Sequence, residues 1–242
     1  MLLHAFPLNA RMWEPQLALS GQGWRVIAPQ FRGFDHGDQD PPAALVDDYA
    51  GDVIDLLDAL HIHEAVIAGL SMGGYVALAL FRHAPRYVHG LVLADTRAEA
   101  DTPAAVEGRQ RMIALAREGG PAAVADDMIP KLLGETTRAT NPGLAEHVRS
   151  LVLASSTVAI AGALTALMTR PDSTSLLSRI HCPTLAIVGG EDTITPKPFS
   201  EALQAGIAGA QLEVVPRAGH LSSLEQPAAF NEVLSGFLER NV

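Results

Sequence analysis

A serine, an aspartate and a histidine each follow an apolar run of the sequence, and together they could cleave an acyl bond. Ser71 lies in a Gly-x-Ser-x-Gly motif, Asp192 follows Gly-Gly-Glu, and His220 follows Ala-Gly. A serine hydroxyl is a poor nucleophile at neutral pH, so it needs a base within hydrogen-bond reach and a group that orients the base. We therefore predict that Ser71 is the nucleophile, His220 the base and Asp192 the orienting acid.

Other carboxylates could take the place of Asp192. Glu191 precedes it in the same segment, and Asp95 directly follows another apolar run. Asp192 itself could instead cap the following turn through Thr193. The serine and the histidine also have structural interpretations, as a tight glycine-rich turn and as a polar loop residue. We prefer Asp192, which lies just past a predicted strand in the order serine, acid, histidine.

Attack on a carbonyl creates an oxyanion, which must be met by N–H donors that are already in place. One donor is expected to be the backbone N–H of Met72, the residue after the nucleophile. The second is expected in the segment Leu-His-Ala-Phe-Pro at residues 3–7, where we choose the N–H of Phe6. The side chain of His4 is expected to brace this loop, with direct participation in the chemistry as the alternative.

The elements that must position these residues alternate between strands and helices. Short apolar runs without polar alternation predict parallel strands that are buried on both faces. The predicted strands are residues 1–3, 25–28, 65–68, 90–94, 184–188 and 211–215. Helical spacing predicts helices over residues 45–60, 73–83 and 226–240. We therefore expect an α/β fold with a parallel sheet.

One long segment interrupts this alternation. Residues 96–178 have helical periodicity, several Gly and Pro breaks and no convincing strand. We interpret this segment as a helical cap, inserted into a core that consists of residues 1–95 and 179–242. Most of its apolar side chains are expected to form the interior of the cap, and a minority to line a pocket.

The composition narrows the class of protein. A chain of 242 residues suffices for one large domain with an insertion, and a net charge of −10 argues against nucleic acid or an anionic membrane as a partner. The single cysteine, Cys182, cannot form an internal disulfide, so folding is not expected to require an oxidising compartment. No segment reaches the roughly 18 apolar residues of a membrane span, and the first residues do not read as a signal peptide. A cytoplasmic location is our expectation.

Four motifs together resemble the α/β-hydrolase superfamily. They are Gly-Leu-Ser-Met-Gly-Gly at 69–74, His-Ala-Phe-Pro at 4–7, Gly-Glu-Asp-x-x-x-Pro at 190–196 and Ala-Gly-His-x-x-x-x-Glu-x-Pro at 218–227. Within the superfamily the chain is most similar to the small capped branch that contains carboxylesterases, enol-lactonases and serine perhydrolases. The resemblance implies an α/β-hydrolase fold and an esterase-type mechanism that needs no metal or organic cofactor.

The resemblance also implies a role for each site residue. Ser71 attacks the acyl carbon, His220 shuttles the proton, and Asp192 holds His220. The amides of Met72 and Phe6 bind the oxyanion, and water then frees the acyl group from the enzyme.

The sequence departs from the family pattern near its start. Ala5 replaces a glycine of the oxyanion loop, which leaves the amide of Phe6 in place. Gln30 stands where the family usually has a carboxylate, and Arg32 nearby is expected to be structural. The family usually has two further strands before this loop, so we expect about six strands, with the 25–28 strand at an uncovered edge. Such an edge implies either self-association or a longer parent chain whose N-terminus has been lost.

We therefore predict a serine hydrolase of small to medium carboxylic esters, a carboxylesterase. A lactone or enol-lactone hydrolase is the near alternative, and Met72 also occurs in family branches with perhydrolase activity. A catalytically inactive small-molecule-binding protein on the same fold is the alternative from another class. Arg97, just after the 90–94 strand, could meet an acidic substrate group or form a salt bridge with the cap.

Overall fold

A parallel β-sheet forms the centre of the molecule. The structure is a computed structural model and describes residues 1–34 and 43–241. In this part of the chain the strands are β1 Leu2–Leu3, β2 Ala65–Leu70, β3 Val88–Ala94, β4 Thr184–Gly189 and β5 Gln211–Val215. They lie in the order β1-β2-β3-β4-β5, and all neighbours are parallel. The predicted α/β architecture with a parallel sheet is confirmed.

The carboxyl ends of the strands meet at one edge of the sheet. Val92 of β3, for example, lies opposite Leu185 of β4. Because parallel strands point the same way, the segments that follow them gather along this edge, where the sites of parallel sheets form. The segments after β2, β4 and β5 carry Ser71, Asp192 and His220.

Helices pack on the sheet and connect its strands. Their bounds are α1 Val46–Ala59, α2 Met72–His83, α3 Pro103–Leu132, α4 Glu135–Thr140, α5 Pro142–Leu153, α6 Thr157–Thr169, α7 Thr174–Leu177, α8 Lys197–Gly206, α9 Ser222–Glu225 and α10 Pro227–Asn241, with 3₁₀ segments at Ala10–Gln22 and Pro85–Tyr87. α2 contacts β1, β2 and β3, and α8 contacts β4 and β5. The helices predicted over 45–60, 73–83 and 226–240 are thus present as α1, α2 and α10.

The predicted strand over residues 25–28 is not formed. The N–H of Leu2 donates to the carbonyl of Ile27 over 2.7 Å, but this is the one backbone hydrogen bond that joins the two segments in the described chain. β1 has only two residues, and its other side pairs with β2. A single bond to so short a strand makes no ladder. Within residues 1–34 and 43–241 the sheet therefore has five strands, where we expected about six.

The chain between β3 and β4 is helical, as predicted, and holds α3 to α7. α3 packs against α5 and α6 and is broken at Gly120, where φ is 66° just before Pro121. The division of the chain into core and cap at residues 96 and 178 stays a prediction. Among the described residues no single helix is long and apolar enough to cross a membrane; α5 and α6, bent by 94° at their break, reach that length and composition only as a pair.

The turn after β2 lies between two elements that are mostly buried. β2 is buried from Ile67 to Leu70, and α2 is buried from Met72 to Leu80. Each large apolar side chain that is fully buried contributes about 1.5–3 kcal/mol, so displacing α2 from the sheet would be costly. Ser71, which directly precedes α2, is therefore held between two rigid elements.

An apolar groove opens beside β1, near the amino ends of β1 and β2. Its volume is about 260 Å³. Its lining includes Leu19, Trp24, Val26, Ile27, Leu57 and Leu238. Ser71 lies at the opposite, carboxyl end of β2, so this groove is separate from the predicted catalytic residues.

Candidate active site

Ser71 occupies the sharp turn between β2 and α2. Its φ of 55° and ψ of −111° lie outside the regions that residues with a side chain favour. Its N–H donates to the carbonyl of Ala94 over 2.9 Å, and its carbonyl accepts from the Thr96 hydroxyl and the N–H of Gly74, each over 2.9 Å. These bonds maintain a strained backbone, which is the geometry expected of a nucleophile at a strand-to-helix corner.

Two glycines make room for this turn. A Cβ on Gly69 would lie 2.1 Å from the carbonyl oxygen of Gly73, and a Cβ on Gly73 would lie 2.1 Å from the carbonyl oxygen of Leu3. Both contacts are with backbone atoms, which cannot move aside without displacing a strand or α2. The Gly-x-Ser-x-Gly spacing is therefore required by the close approach of β1, β2 and α2.

The N–H groups of Met72 and Phe6 are free donors. Met72 is the first residue of α2, where an N–H has no acceptor within its own helix. Phe6 lies in the loop after β1, whose residue Leu3 contacts Gly73 near the start of α2. Within residues 1–34 and 43–241, neither N–H donates to a protein atom. Two unpaired donors on neighbouring segments are what an oxyanion hole requires, and their use in catalysis stays a prediction.

His220 and Asp192 form a buried pair. Nδ1 of His220 lies 2.9 Å from Oδ2 of Asp192, and the two residues are 1% and 5% exposed. The loops after β5 and β4 bring them together. A proton on Nδ1 donates to the carboxylate, which leaves Nε2 as the nitrogen that can accept a proton from a nucleophile.

The Asp192 carboxylate is also fixed by its own loop. Oδ1 accepts from the N–H groups of Ile194 (2.8 Å) and Thr195 (3.1 Å), and the Thr195 hydroxyl donates to Oδ2 over 2.7 Å. Asp192 therefore caps the following turn through Ile194 and Thr195, where the sequence suggested Thr193, while its other oxygen faces His220. The two interpretations made from sequence do not exclude each other.

Electrostatics couples the pair. Burial alone raises the pKa of Asp192, but the charge of His220 and the hydrogen bonds from His220 and Thr195 outweigh it, so that pKa lies below its usual value. Burial alone lowers the pKa of His220, but Asp192, through charge and hydrogen bond, and then Asp95 and Glu225 raise it above its usual value. The negative charges around His220, that of Asp192 above all, thus favour the imidazolium form of His220.

Neither alternative acid hydrogen-bonds the imidazole. Glu191 accepts from the N–H of Thr136 over 2.8 Å and binds the hydroxyl of the same residue. Asp95 accepts from the N–H of Gly189 over 2.7 Å and from the hydroxyl of Ser222. The geometry within the described chain therefore favours Asp192 as the partner of the histidine.

Asp95 nevertheless lies close to the pair. It is fully buried, and burial together with the charge of Asp192 raises its pKa from 3.8 to about 8, against the opposing effects of His220 and its two hydrogen bonds. It directly follows β3, and Ser222 lies in the segment that follows His220. Asp95 thus ties the end of β3 to the histidine loop and carries a proton at neutral pH.

His4 braces the loop that contains Phe6. The ring is fully buried, Nδ1 lies 3.1 Å from the carbonyl of Ala5, and Nε2 accepts from the N–H of Phe31 over 3.2 Å. Burial lowers the pKa of His4 to about 4, despite the opposing bond to the Ala5 carbonyl. Both ring nitrogens are therefore engaged in holding the loop, and Gln30 accepts from the N–H of Ala10 beside it (2.9 Å).

Two arginines singled out from the sequence form ion pairs. Arg32 binds Asp52 of α1 through Nε at 2.7 Å and through a second contact, as expected of a structural residue. Arg97 binds Asp101 over 2.9 Å, and its guanidinium lies 5.2 Å from the centre of the Phe199 ring. Of the two interpretations of Arg97, the salt bridge is the one observed.

Ser71 and His220 lie at the same edge of the sheet, and no hydrogen bond joins their side chains within the described residues. Within residues 1–34 and 43–241 no hydrogen bond reaches the Ser71 hydroxyl or Nε2 of His220. Ala94 and Asp95 connect the two parts of the site, because the first binds the backbone of Ser71 and the second binds the histidine loop through Ser222. In enzymes without substrate such catalytic hydrogen bonds are often long and tighten in the complex.

Sequence reasoning assigned no role to three polar residues of this region, although the motif at 218–227 includes one of them, Glu225. Thr195, Ser222 and Glu225 each bind a residue of the site or its loops. The spacing of Thr195, three residues after an aspartate in a turn, is a usable signal, whereas nothing local predicts the contact of Ser222 with Asp95. Among the described residues no group of three or more His, Cys, Asp or Glu side chains is placed to hold a metal ion.

Comparison with known proteins decides the family. A family model described as "Alpha/beta hydrolase family" matches residues 1–233. The chain belongs to the α/β-hydrolase family. The fold class predicted from the sequence, an α/β-hydrolase with a helical cap region, is confirmed.

This α/β-hydrolase is similar to 3-oxoadipate enol-lactonase 2 of Acinetobacter baylyi, with 30% identity over 234 residues that cover 96% of this chain and 85% of that protein. Among solved structures it is similar to a thermophilic esterase of Thermogutta terrifontis with malate bound, with 38% identity, a TM-score of 0.94, and coverage of 99% of this chain and 88% of that chain. It is also similar to an enol-lactonase of Burkholderia xenovorans, with 27% identity, a TM-score of 0.89, and coverage of 98% and 90%. The predicted resemblance to esterases and enol-lactonases is confirmed.

Asp95→Asn is expected to change how the stability of this α/β-hydrolase depends on pH. The folded protein keeps a proton on Asp95 up to about pH 8, whereas the unfolded chain loses it near 3.8. The free energy of unfolding therefore falls by about 1.4 kcal/mol per pH unit between these values on account of this group. Asparagine cannot ionise, so the stability of the variant relative to wild type should rise from pH 5 to pH 8 in urea denaturation.

Asp55→Asn, the same chemical change at an exposed position of α1, is the matched control and should give a curve parallel to that of wild type. Parallel curves for Asp95→Asn and wild type would contradict the assignment of a raised pKa to Asp95.

Proposed function

We propose that the protein hydrolyses carboxylic esters through an acyl-enzyme formed on Ser71. The observation that carries this proposal is the buried Asp192–His220 pair, at the same edge of the sheet as a serine with strained backbone. A fully hydrogen-bonded carboxylate beside an imidazole orients a base and stabilises its protonated form. A loop of merely polar surface residues needs no such arrangement.

The proposed reaction assigns a step to each of these groups. The hydroxyl oxygen of Ser71 attacks the acyl carbon while Nε2 of His220 takes its proton, and the carbonyl oxygen becomes an oxyanion that the N–H groups of Met72 and Phe6 bind. His220 then gives the proton to the departing alkoxide, and the alcohol leaves. Water attacks the acyl-enzyme with His220 again as base, so that an acid is released and Ser71 recovers its proton.

Hydrolysis of lactones is the second candidate. The similar protein from Acinetobacter baylyi is named an enol-lactonase, and it matches 96% of this chain at 30% identity. A lactone is a cyclic ester, so the same steps apply, except that the leaving oxygen stays attached to the acyl group. Small to medium ester or lactone substrates are accordingly the class that we propose for this site.

A fluorophosphonate probe should label wild-type protein at one site, because it reacts with a serine that has a working base. Ser71→Ala should not be labelled and should lose hydrolysis of p-nitrophenyl esters and simple lactones by about 10³-fold or more. Ser150→Ala, which removes an exposed hydroxyl of α5, should behave like wild type. A folded wild-type protein that neither reacts with the probe nor hydrolyses any member of the panel would contradict an enzymatic role and favour a binding protein on this fold.

We also propose that the protein self-associates through the edge of the sheet at β1. Residues 25–28 lie beside this edge without forming a strand, and the apolar groove of about 260 Å³ opens there. Arg25 and Glu64 are among the residues that line the groove, so a second copy in two-fold arrangement can pair opposite charges across it. Unpaired edges of this kind favour association.

Light scattering coupled to size exclusion should then report a dimer. Val26→Asp, which puts a charge into the groove, should shift the protein to monomer, because a carboxylate would be buried without a partner. Val158→Asp, at a position of α6 that is 60% exposed, should leave the dimer unchanged. A wild-type protein that is monomeric at all concentrations would contradict the proposal.

A further inference from the structure

The chain between α3 and α4 is bonded directly to the histidine loop. The carbonyl of Leu132, the last residue of α3, accepts from the N–H of His220 over 3.1 Å and from the N–H of Leu221 over 3.2 Å. The last carbonyls of a helix receive no N–H from within the helix, so they are available to accept such hydrogen bonds. The backbone of His220 is therefore held from the helical region, and not only from β5.

Glu225 fastens the same two segments from the other side. Oε1 accepts from the N–H of Leu221 over 3.1 Å, and Oε2 accepts from the N–H of Gly134 over 2.8 Å. Glu225 is 8% exposed, and within the described residues it forms no ion pair. A buried carboxylate whose two oxygens each receive an N–H from a different segment is a fixed bridge between them.

The bridge is reinforced by backbone contact. A Cβ on Gly134 would lie 2.7 Å from the nitrogen of Gly219, and a Cβ on Gly219 would lie 2.3 Å from the nitrogen of Gly134. A Cβ on Gly189 would in turn lie 1.9 Å from the carbonyl oxygen of Gly219. The segment before α4, the histidine loop and the end of β4 are thus stacked with no space for side chains between them.

The acid loop is attached to the same segment. Glu191 precedes Asp192. Its carboxylate accepts from the N–H of Thr136 in α4 over 2.8 Å and from the hydroxyl of Thr136. Residues 132–136 therefore hold both loops whose side chains form the buried pair. We call these residues the clamp segment.

We propose that Glu225 is a positioning residue for His220: its carboxylate holds the clamp segment against the histidine loop and so fixes the imidazole relative to Asp192 and Ser71. The inference rests on the proposed function, since it concerns the base of that reaction. Without the Glu225 carboxylate, the N–H groups of Gly134 and Leu221 lose their acceptors. His220, which is bonded to the clamp segment through Leu132, is then free to shift.

Glu225 also acts on His220 through its charge. Three carboxyl groups face the imidazole from the elements packed around it, namely Asp192 from the loop after β4, Asp95 from the end of β3 and Glu225 from α9. The charges of Asp192 and Glu225 raise the pKa of His220, and Asp95 does so once it has lost its proton. Removal of the negative charge at position 225 therefore lowers that pKa, which a change in packing alone would not do.

The test is the pH profile of ester hydrolysis by Glu225→Gln. Glutamine keeps the volume and one acceptor but turns an NH₂ group toward the other N–H, so the bridge is broken. We expect kcat to fall about 10- to 100-fold with KM within about 2-fold of wild type, as for a displaced catalytic group. The low-pH limb of kcat/KM, which reports the base of the free enzyme, should move to lower pH.

Glu225→Asp separates geometry from charge. Aspartate keeps the charge but is one methylene too short to bridge both N–H groups, so kcat should fall while the low-pH limb stays where wild type has it. Glu239→Gln, the same chemical change at an exposed position of α10, is the matched control and should behave like wild type. If Glu225→Gln does not fold, the fall in kcat of Glu225→Asp remains the test.

The proposal is overturned if kcat and the low-pH limb of Glu225→Gln equal those of Glu239→Gln, or if Glu225→Asp retains full kcat. These outcomes differ from a failure of the proposed function, in which wild type itself neither hydrolyses esters nor reacts with the fluorophosphonate probe.

Discussion

The hydrogen bond between the His220 imidazole and the Asp192 carboxylate is the interaction on which the rest of the site depends. Both residues are nearly fully buried, and a buried carboxylate without partners would take up a proton instead of keeping its charge. Bonds from Thr195 and Ile194 complete its shell. The loops after β4 and β5 must therefore hold their backbones in fixed positions, and the glycine contacts at 189 and 219 are a direct consequence.

The carboxyl groups around the imidazole are distinguished by their partners. Asp192 faces the ring and keeps its charge, with a pKa below its usual value. Asp95 receives two hydrogen bonds, yet its burial and the charge of Asp192 keep it protonated near neutral pH. Glu225 accepts from two backbone N–H groups, those of Gly134 and Leu221. Carboxyl groups of the same kind thus differ in pKa and in hydrogen-bond partners, according to what surrounds them.

Much of this arrangement can be predicted from sequence because its signals are local. The apolar runs at 65–68, 184–188 and 211–215 lie within β2, β4 and β5, and the polar residue after each run falls at the same edge of the sheet. Residues 25–28 do not form a strand, because a strand needs a partner of adequate length and β1 has only two residues.

Other features require contacts between distant parts of the chain. Gly134 and Glu225 are 91 residues apart, and nothing in the local pattern of either residue indicates that they meet. The sequence presents Asp95 only as an alternative acid, because its hydrogen bond with Ser222 spans 127 residues and has no local signal. Burial and hydrogen-bond partners therefore distinguish carboxyl groups that residue type and order leave equivalent.

The most direct test of this account is the turnover of Asp192→Asn on an ester that wild type hydrolyses, measured together with the thermal stability of the variant. Asparagine fits the same space but presents an amide where the imidazole needs a negative acceptor. We predict that the variant stays folded and that kcat falls by about 10⁴-fold. A folded Asp192→Asn protein with kcat within about 10-fold of wild type would contradict the central role of the Asp192–His220 pair.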